Sequence, residues 1–315
     1  MRCLVTGAAG FIGSHLCRRL VADGWEVVGL DDLSEGDLQR LSSCPEVEFV
    51  GGNLLDEQFV SRAAARCDVI FHQGAIRSVE RSMIAPGSVT DVNVRGTLNV
   101  LMAAKEHGAR VVSASSSSIY GDQERFPLSE TMSPRPRSPY AASKLAGEAY
   151  CTTWWKAFGV PTVSLRYFNV FGPEQDPSNQ YAVVVPKFIV ACLTGSRPLV
   201  HGDGEQARDF TYIDSVLDAN LLAAEADEDA FGRAFNIGGG EDPTSVKQLL
   251  QMVAALSDAH PDPIYAPPRE GDVRRTHADI AEARRVLGYE PGRSFASGLQ
   301  QTVEWFSAHY RARAA

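Results

Sequence analysis

Tyr140 and Lys144 stand four residues apart just after Pro139, in S-P-Y-A-A-S-K (138–144). Proline suits the first turn of a helix, so this spacing puts both side chains on one helix face. A phenol with a pKa near about 10 is a poor base at neutral pH, but a neighbouring ammonium and the positive charge of a nicotinamide stabilise the phenolate. Such a pair can take a proton from a substrate hydroxyl. Some twenty-four residues upstream, S-A-S-S-S-S-I-Y-G (113–121) crowds hydroxyls at the carboxyl end of a strand, where open α/β sheets bind ligands. Ser116 is thereby a hydrogen-bonding partner for the same substrate hydroxyl. Each signal alone is weak. Nine tyrosines give a Tyr-x-x-x-Lys match by chance about as often as not, serine runs are usually loops, and a helical lysine is usually a solvated charge.

A third signal lies at the start of the chain, where T-G-A-A-G-F-I-G (6–13) follows one strand and opens a helix. Gly7, Gly10 and Gly13 let the turn tighten, the backbone approach a pyrophosphate and the helix pack on the strand, with the helix N-terminus facing the phosphates. Some twenty residues on, Asp31 ends the second strand, where an acid binds the adenosine ribose hydroxyls and repels a 2′-phosphate. Strand, glycines, helix and acid agree in one βαβ unit, so the expected cofactor is NAD rather than NADP.

The elements that position these residues follow from patterning. Short β-branched runs at 3–6, 26–30, 47–50, 68–72, 110–114 and 162–168 alternate with Ala-rich amphipathic stretches near 11–23, 57–66, 88–107 and 140–158. That rhythm predicts an α/β fold, a Rossmann-type doubly wound parallel sheet with helices on both faces. After residue 172 prolines and loops dominate, and one strand-like piece, A-F-N-I-G (234–238), is placed to return to the sheet. The expected division is a dinucleotide-binding domain over 1–172 with a returning piece near 213–245, and a smaller, interleaved substrate domain from 173–212 and 246–315.

Bulk properties set the exclusions. A net charge of −9 and a pI near 5.3 argue against a nucleic-acid or anionic-membrane surface, which needs clustered Lys and Arg. The six cysteines are scattered without zinc-ligand spacing, which reads as reduced, buried thiols and no metal. The apolar run Cys3 to Thr6 is far shorter than the about 7–15 residues of a signal-peptide core. The run Tyr181 to Leu193 carries Pro186 and Lys187 and falls short of the about 20 residues that span a bilayer. A cytoplasmic protein away from membranes is expected.

Together, glycine loop, acid, serine and Tyr-x-x-x-Lys occur in an order that resembles the extended short-chain dehydrogenase/reductase enzymes, specifically the NAD-dependent epimerase/dehydratase group, over nearly the whole chain. The resemblance implies Tyr140 as base, Lys144 as the group that binds the nicotinamide ribose and lowers the tyrosine pKa, and Ser116 as the residue that orients a sugar 4-hydroxyl. It places Phe11, Ile12, Asp32, Asn53 and Leu54 against the cofactor, with Gln73, Ala75, Arg77, Asn93 and Tyr167 nearer the nicotinamide end. It assigns Ser117, Ser118, Asn169 and Thr276 to a nucleotide sugar, with Val184, Pro186 and His201. Arg208, Arg269 and Asp272 match its diphosphate and ribose contacts, where an arginine fork binds phosphate oxygens in pairs. Two departures stand out: Gln73-Gly74 replaces an apolar residue and Ala, and Asn53 replaces the acid near the adenine.

Within that group, dehydratases carry Asp-Glu after the active-site hydroxyl and decarboxylases carry Glu there, whereas this chain has Ser117-Ser118. Elimination therefore lacks its proton carriers. The resemblance then implies a 4-epimerase of a UDP-sugar, working through a transient 4-keto sugar, with a homodimer built on the helices near 88–107 and 140–158. The small Thr276 and the acidic Glu174 and Asp176 rank UDP-GlcNAc/UDP-GalNAc first, UDP-glucose/UDP-galactose second and UDP-glucuronate third. A net reductase of a keto sugar and a non-catalytic NAD-binding protein are the competing readings.

Overall fold

Residues 1–177, 184–268 and 273–314 are described in a computed structural model of the chain. The β-branched runs become strands because both of their faces find apolar cover, which is why they read as near-continuous apolar stretches rather than as alternating ones. They are β1 (Arg2–Thr6), β2 (Glu26–Asp31), β3 (Glu48–Gly51), β4 (Val69–His72), β5 (Arg110–Ser116) and β6 (Thr162–Tyr167). The returning piece is β7 (Arg233–Ile237), which pairs with β6 from Arg233 opposite Val163 to Ile237 opposite Tyr167. All pairings are parallel and the order is β7-β6-β5-β4-β1-β2-β3. The order reverses between β1 and β4, and at that point the crevice beyond the carboxyl ends of the strands is open to a ligand. Register brings Thr6 opposite His72, His72 opposite Ser113, and Ser116 opposite Tyr167.

Four helices frame that crevice. α1 (Phe11–Ala22) starts directly after Gly10, and α2 (Glu57–Ala64) is capped by Asp56, whose carboxylate accepts from the Phe59 N–H. The stretch expected as one helix over 88–107 is helical throughout, from Pro86, and widens into a π turn at Asp91–Arg95 before continuing as α3 (Gly96–His107). The Thr97 hydroxyl donates to the Asn93 carbonyl at 2.6 Å, so a carbonyl in the widened turn is satisfied by a side chain. α4 (Pro139–Phe158) has Pro139 at its first position, the Ser138 hydroxyl accepting from the Ala141 N–H at 3.1 Å, and Gly159 at φ +69 closing its end. α5 (Ile213–Glu225), which leads into β7, packs beside α1 on the sheet face opposite α2, α3 and α4. Apolar clusters cover both faces of the sheet. Beyond the sheet, short ladders join Leu199–His201 to Ile264–Ala266 and Ala207–Arg208 to Thr244–Ser245. All six cysteines are buried and unpaired, and no helix among the described residues is long and apolar enough to cross a membrane.

A buried ion pair ties the sheet to α4. Arg166 on β6 reaches Glu148 on α4 through Nη2–Oε2 at 2.8 Å and Nε–Oε1 at 2.9 Å, with both side chains 8% exposed. Ser115 on β5 donates to the same carboxylate. Arg166 Nη1 donates to the Tyr120 hydroxyl at 2.7 Å, and that hydroxyl donates to Asn236 Oδ1 on β7 at 2.7 Å. Replacing Arg166 by Met strands a carboxylate in the core and is expected to cost about 3–5 kcal/mol of unfolding free energy. Arg166→Met combined with Glu148→Leu is expected to recover most of that loss. Urea unfolding of the three proteins checks both, and an unchanged single variant would mean that the pair holds nothing.

Candidate active site

The glycine turn is built by close backbone approach. Gly7 sits at φ +70, and a Cβ there would lie 2.8 Å from the Cα and N of Gly74. A Cβ on Gly13 would lie 2.0 Å from the Gly7 carbonyl oxygen. The turn and the first turn of α1 therefore lie flat against the end of β4, and Gly7, Gly10, Phe11, Ile12 and Gly13 line a cleft over the carboxyl ends of the strands. The first N–H groups of a helix have no partner within it, which suits that end to a phosphate.

Asp31 and Asp32 continue the wall. Asp31 is 8% exposed and accepts from the Ala9 N–H at 3.0 Å and the Leu33 N–H at 2.8 Å. Burial raises its pKa and the two backbone bonds oppose that shift. Asn53 and Leu54 line the same end, and Asn53 Oδ1 already accepts from the Leu55 N–H at 2.9 Å.

The departure at Gln73-Gly74 has a physical reading here. A Cβ on Gly74 would meet the Leu54 side chain at 2.9 Å and Thr6 Oγ1 at 3.1 Å, and the Gly74 N–H donates to Thr6 Oγ1 at 3.1 Å. Gln73 turns to α5, where its Nε2 donates to Asn220 Oδ1 at 2.9 Å, while the Tyr167 hydroxyl donates to its Oε1 at 3.2 Å. Gln73, Ala75, Arg77 and Tyr167 all line the cleft. Asn93 does not reach the surface. It is 3% exposed, accepts from the Ile76 N–H at 2.8 Å, and donates to the Ile76 carbonyl and to Ser143 Oγ, each at 3.0 Å. It fixes the Ala75–Arg77 segment from behind.

Ser116, Tyr140 and Lys144 meet at the centre of the cleft wall. Ser116 Oγ accepts from the Ser118 N–H at 3.2 Å and from the Ser118 hydroxyl at 2.9 Å. Its own proton is thereby left to donate toward Tyr140 or a ligand. Ser118 thus orients Ser116, an arrangement that residue types alone did not disclose. Lys144 Nζ donates to the Ala114 carbonyl at 2.8 Å, and burial pulls the amine down to about 8. Burial pushes the Tyr140 phenol up, opposed by its hydrogen bond with Ser116 and by the positive charge of Arg77. Both shifts disfavour the charged forms, so the protein alone leaves the phenol protonated near neutral pH.

On the far wall Ser117, Asn169, Arg208 and Thr276 line the cleft. Thr276 Oγ1 accepts from Asn169 Nδ2 at 3.0 Å and from the Asp209 N–H at 3.1 Å. Arg208 is 9% exposed, and its Nη1 donates to the Ala207 carbonyl at 3.0 Å. Val184, Pro186 and His201 stand away from the lining: Val184 and Pro186 lie in the helix Val184–Thr194, Pro186 buried, and His201 faces the Pro267 carbonyl at 3.2 Å. Arg269 and Asp272 fall outside the described residues. Sequence reasoning missed Arg40, Arg137 and Gln175 in the lining. Arg40 sits in a short turn after β2, with its carbonyl held by Arg18 at 2.8 Å and one guanidinium nitrogen buried without a partner. No spacing marks it as a site residue, because the tertiary fold alone turns it toward the glycine loop.

Comparison with known proteins places this geometry. The model of the NAD dependent epimerase/dehydratase family matches residues 3–238. A UDP-glucose 4-epimerase of Mycolicibacterium smegmatis is 41% identical over 312 residues, 97% of this chain and 98% of its own length. The structure of a Thermotoga maritima UDP-glucose 4-epimerase with UDP-glucose superimposes with a TM-score of 0.94 at 36% identity, over 98% of this chain and 100% of that one. A UDP-N-acetylglucosamine 4-epimerase from Methanobrevibacter ruminantium, in complex with UDP-N-acetylmuramic acid, gives 0.92 at 34% identity and 98% of each chain.

Gly13→Ala forces the Gly7 carbonyl out of place. It is expected to weaken NAD binding by at least about tenfold, a change worth roughly 1.4 kcal/mol. Calorimetric titration reads it, and an unchanged affinity would mean that this turn does not hold the phosphates.

Proposed function

The chain belongs to the NAD dependent epimerase/dehydratase family, and on that premise we propose that it inverts the 4-hydroxyl of a UDP-sugar. The observation that carries this reading is the convergence of Ser116, Tyr140 and Lys144 on the cleft that also holds the glycine turn and Asp31. When bound, NAD supplies the two-electron acceptor and then donor at the sugar C4. Its positive charge offsets the burial that keeps the Tyr140 phenol protonated. The Tyr140 oxygen takes the proton of the 4-hydroxyl as the C4–H bond gives up its electrons, and Ser116 holds that hydroxyl in line. The resulting 4-keto sugar turns over and is reduced on its other face, with Tyr140 returning the proton. No net oxidation occurs.

Ser117 and Ser118 stand where elimination would need an acid and a base, and Ser118 is already spent on Ser116. That favours epimerisation over dehydration. Turnover of the keto sugar requires that affinity reside in the nucleotide and diphosphate, which Arg208 is placed to hold, so that the hexose can rotate. Met102 and Phe158, exposed on α3 and α4, suit the pairing of two copies through those helices.

For the sugar, the proposal is UDP-GlcNAc/UDP-GalNAc first, UDP-glucose/UDP-galactose second and UDP-glucuronate third. A small Thr276 leaves room for an N-acetyl group. Glu174, paired with Arg18 at 2.8 Å, and Asp176 make the neighbouring loop acidic and poorly suited to a uronate carboxylate.

Tyr140→Phe is expected to lower kcat at least about a hundredfold while leaving nucleotide-sugar binding intact, the scale of losing a general base. The purified wild type is expected to retain NAD and to need no added NADH. Near-normal turnover of the variant would remove Tyr140 as the base, and a stoichiometric need for NADH would remove epimerisation. Thr276→Tyr is expected to abolish turnover of the N-acetylated pair while sparing the plain hexoses. Because the Thr276 hydroxyl also binds Asn169 and Asp209, the ratio of the two activities is the measurement, and an equal loss on both would overturn the ranking.

A further inference from the structure

Behind the cleft a chain of hydrogen bonds runs from the glycine turn to the catalytic helix, and His72 is its central member. His72 ends β4, is 3% exposed, and does not line the cleft. Its Nδ1 lies 2.8 Å from Thr6 Oγ1 and its Nε2 lies 2.9 Å from Thr97 Oγ1. Thr6 immediately precedes Gly7 and accepts the Gly74 N–H at 3.1 Å. Thr97 donates to the Asn93 carbonyl at 2.6 Å. Asn93 in turn donates to Ser143 Oγ at 3.0 Å, and Ser143 donates to the Tyr140 carbonyl at 2.7 Å.

Proton counting settles every direction. A carbonyl only accepts, so the Thr97 hydroxyl spends its single proton on Asn93. Thr97 Oγ1 is then an acceptor toward His72, and Nε2 must carry a proton. Burial, with the charge of Lys144, holds the ring neutral. A neutral imidazole has one donor and one acceptor, so Nδ1 accepts from Thr6. Thr6 Oγ1 is left free to accept from Gly74, as observed. Each link has the polarity the next one requires.

We propose that His72, fixed as the Nε2–H tautomer, is a positioning residue that sets the glycine turn against the helix carrying Tyr140 and Lys144. Its two nitrogens serve two different halves of the site. Nδ1 steadies Thr6 and, through Gly74, the approach of β4 to the phosphate loop. Nε2 steadies Thr97 and Asn93, and through Ser143 the first turn of α4. This rests on the dinucleotide reading of the cleft, yet the tautomer is a property of the protein alone.

The two halves separate by substitution, because an asparagine amide reaches about as far as Nδ1 and a glutamine amide about as far as Nε2. His72→Gln keeps the Thr97 link and loses Thr6, so NAD affinity is expected to fall about tenfold, the scale of one buried hydrogen bond, while kcat at saturating NAD changes little. His72→Asn keeps Thr6 and loses Thr97, so kcat is expected to fall about tenfold with NAD affinity nearly intact. On the wild type, nitrogen NMR of the imidazole is expected to show protonated Nε2 and bare Nδ1, with no titration between about pH 5 and 8. An Nδ1–H ring, a ring that titrates in that window, or two variants that lose affinity and turnover in equal proportion would each overturn the proposal. If neither variant folds, the NMR measurement decides it. Wild type that binds no NAD would instead fall on the reading of the cleft, since the tautomer does not depend on it.

Discussion

Much of this architecture depends on the buried contact between Glu148 and Arg166. Two charges are costly to remove from water, and their attraction in the interior repays this only with good geometry and further hydrogen bonds. Here the pair is bidentate, Ser115 adds a donor to the carboxylate, and Tyr120 and Asn236 extend the network to β7. The consequence is registration. Glu148 lies one helical turn after Lys144, so pinning it to β6 and to Ser115 fixes α4 along the sheet. Ser116, next to Ser115, is held in the same frame. Ser116, Tyr140 and Lys144 therefore inherit their spacing from a contact that lies outside the cleft lining.

The same burial that makes this frame rigid works against the chemistry. It raises the phenol of Tyr140 and lowers the amine of Lys144 to about 8, while the carboxylate of Glu148 opposes the second shift. Neither group is poised by the protein alone, and the positive charge of a bound NAD would offset the burial of Tyr140. On the proposed reading, the strength of Tyr140 as a base is thereby coupled to the bound cofactor.

Polar side chains behind the cleft divide into three networks, two larger ones on either side of β5 and a smaller one. Glu148, Arg166, Tyr120 and Asn236 join α4 to β6 and β7. Thr6, His72, Thr97 and Asn93 join β1 and β4 to α3 and α4. Gln73, Tyr167 and Asn220 form a smaller set that ties the end of β4 to α5. In each the buried groups satisfy one another, as an interior of low polarity demands.

The sequence by itself determined the parallel sheet, the glycine turn with its acid, and the family, because these signals are local: β-branched runs of strand length, glycines where backbone must approach backbone, and a helix opened by proline. It also carried the Tyr140–Lys144 face, which depends only on helical periodicity. It did not disclose the widened turn at Asp91–Arg95, the role of Ser118 in turning Ser116, or the presence of Arg40 and Gln175 in the cleft wall. Nor could it show that Gln73 pairs with Asn220, or that Gly7 lies against the backbone of Gly74. Except for Ser118 and the turn at Asp91–Arg95, those features arise between residues that are distant in the chain, as with Thr6 and His72 or Gln73 and Asn220. Only the closed tertiary structure decided them, since a buried donor takes its partner from whatever the packing of strands and helices sets within about 3 Å of it.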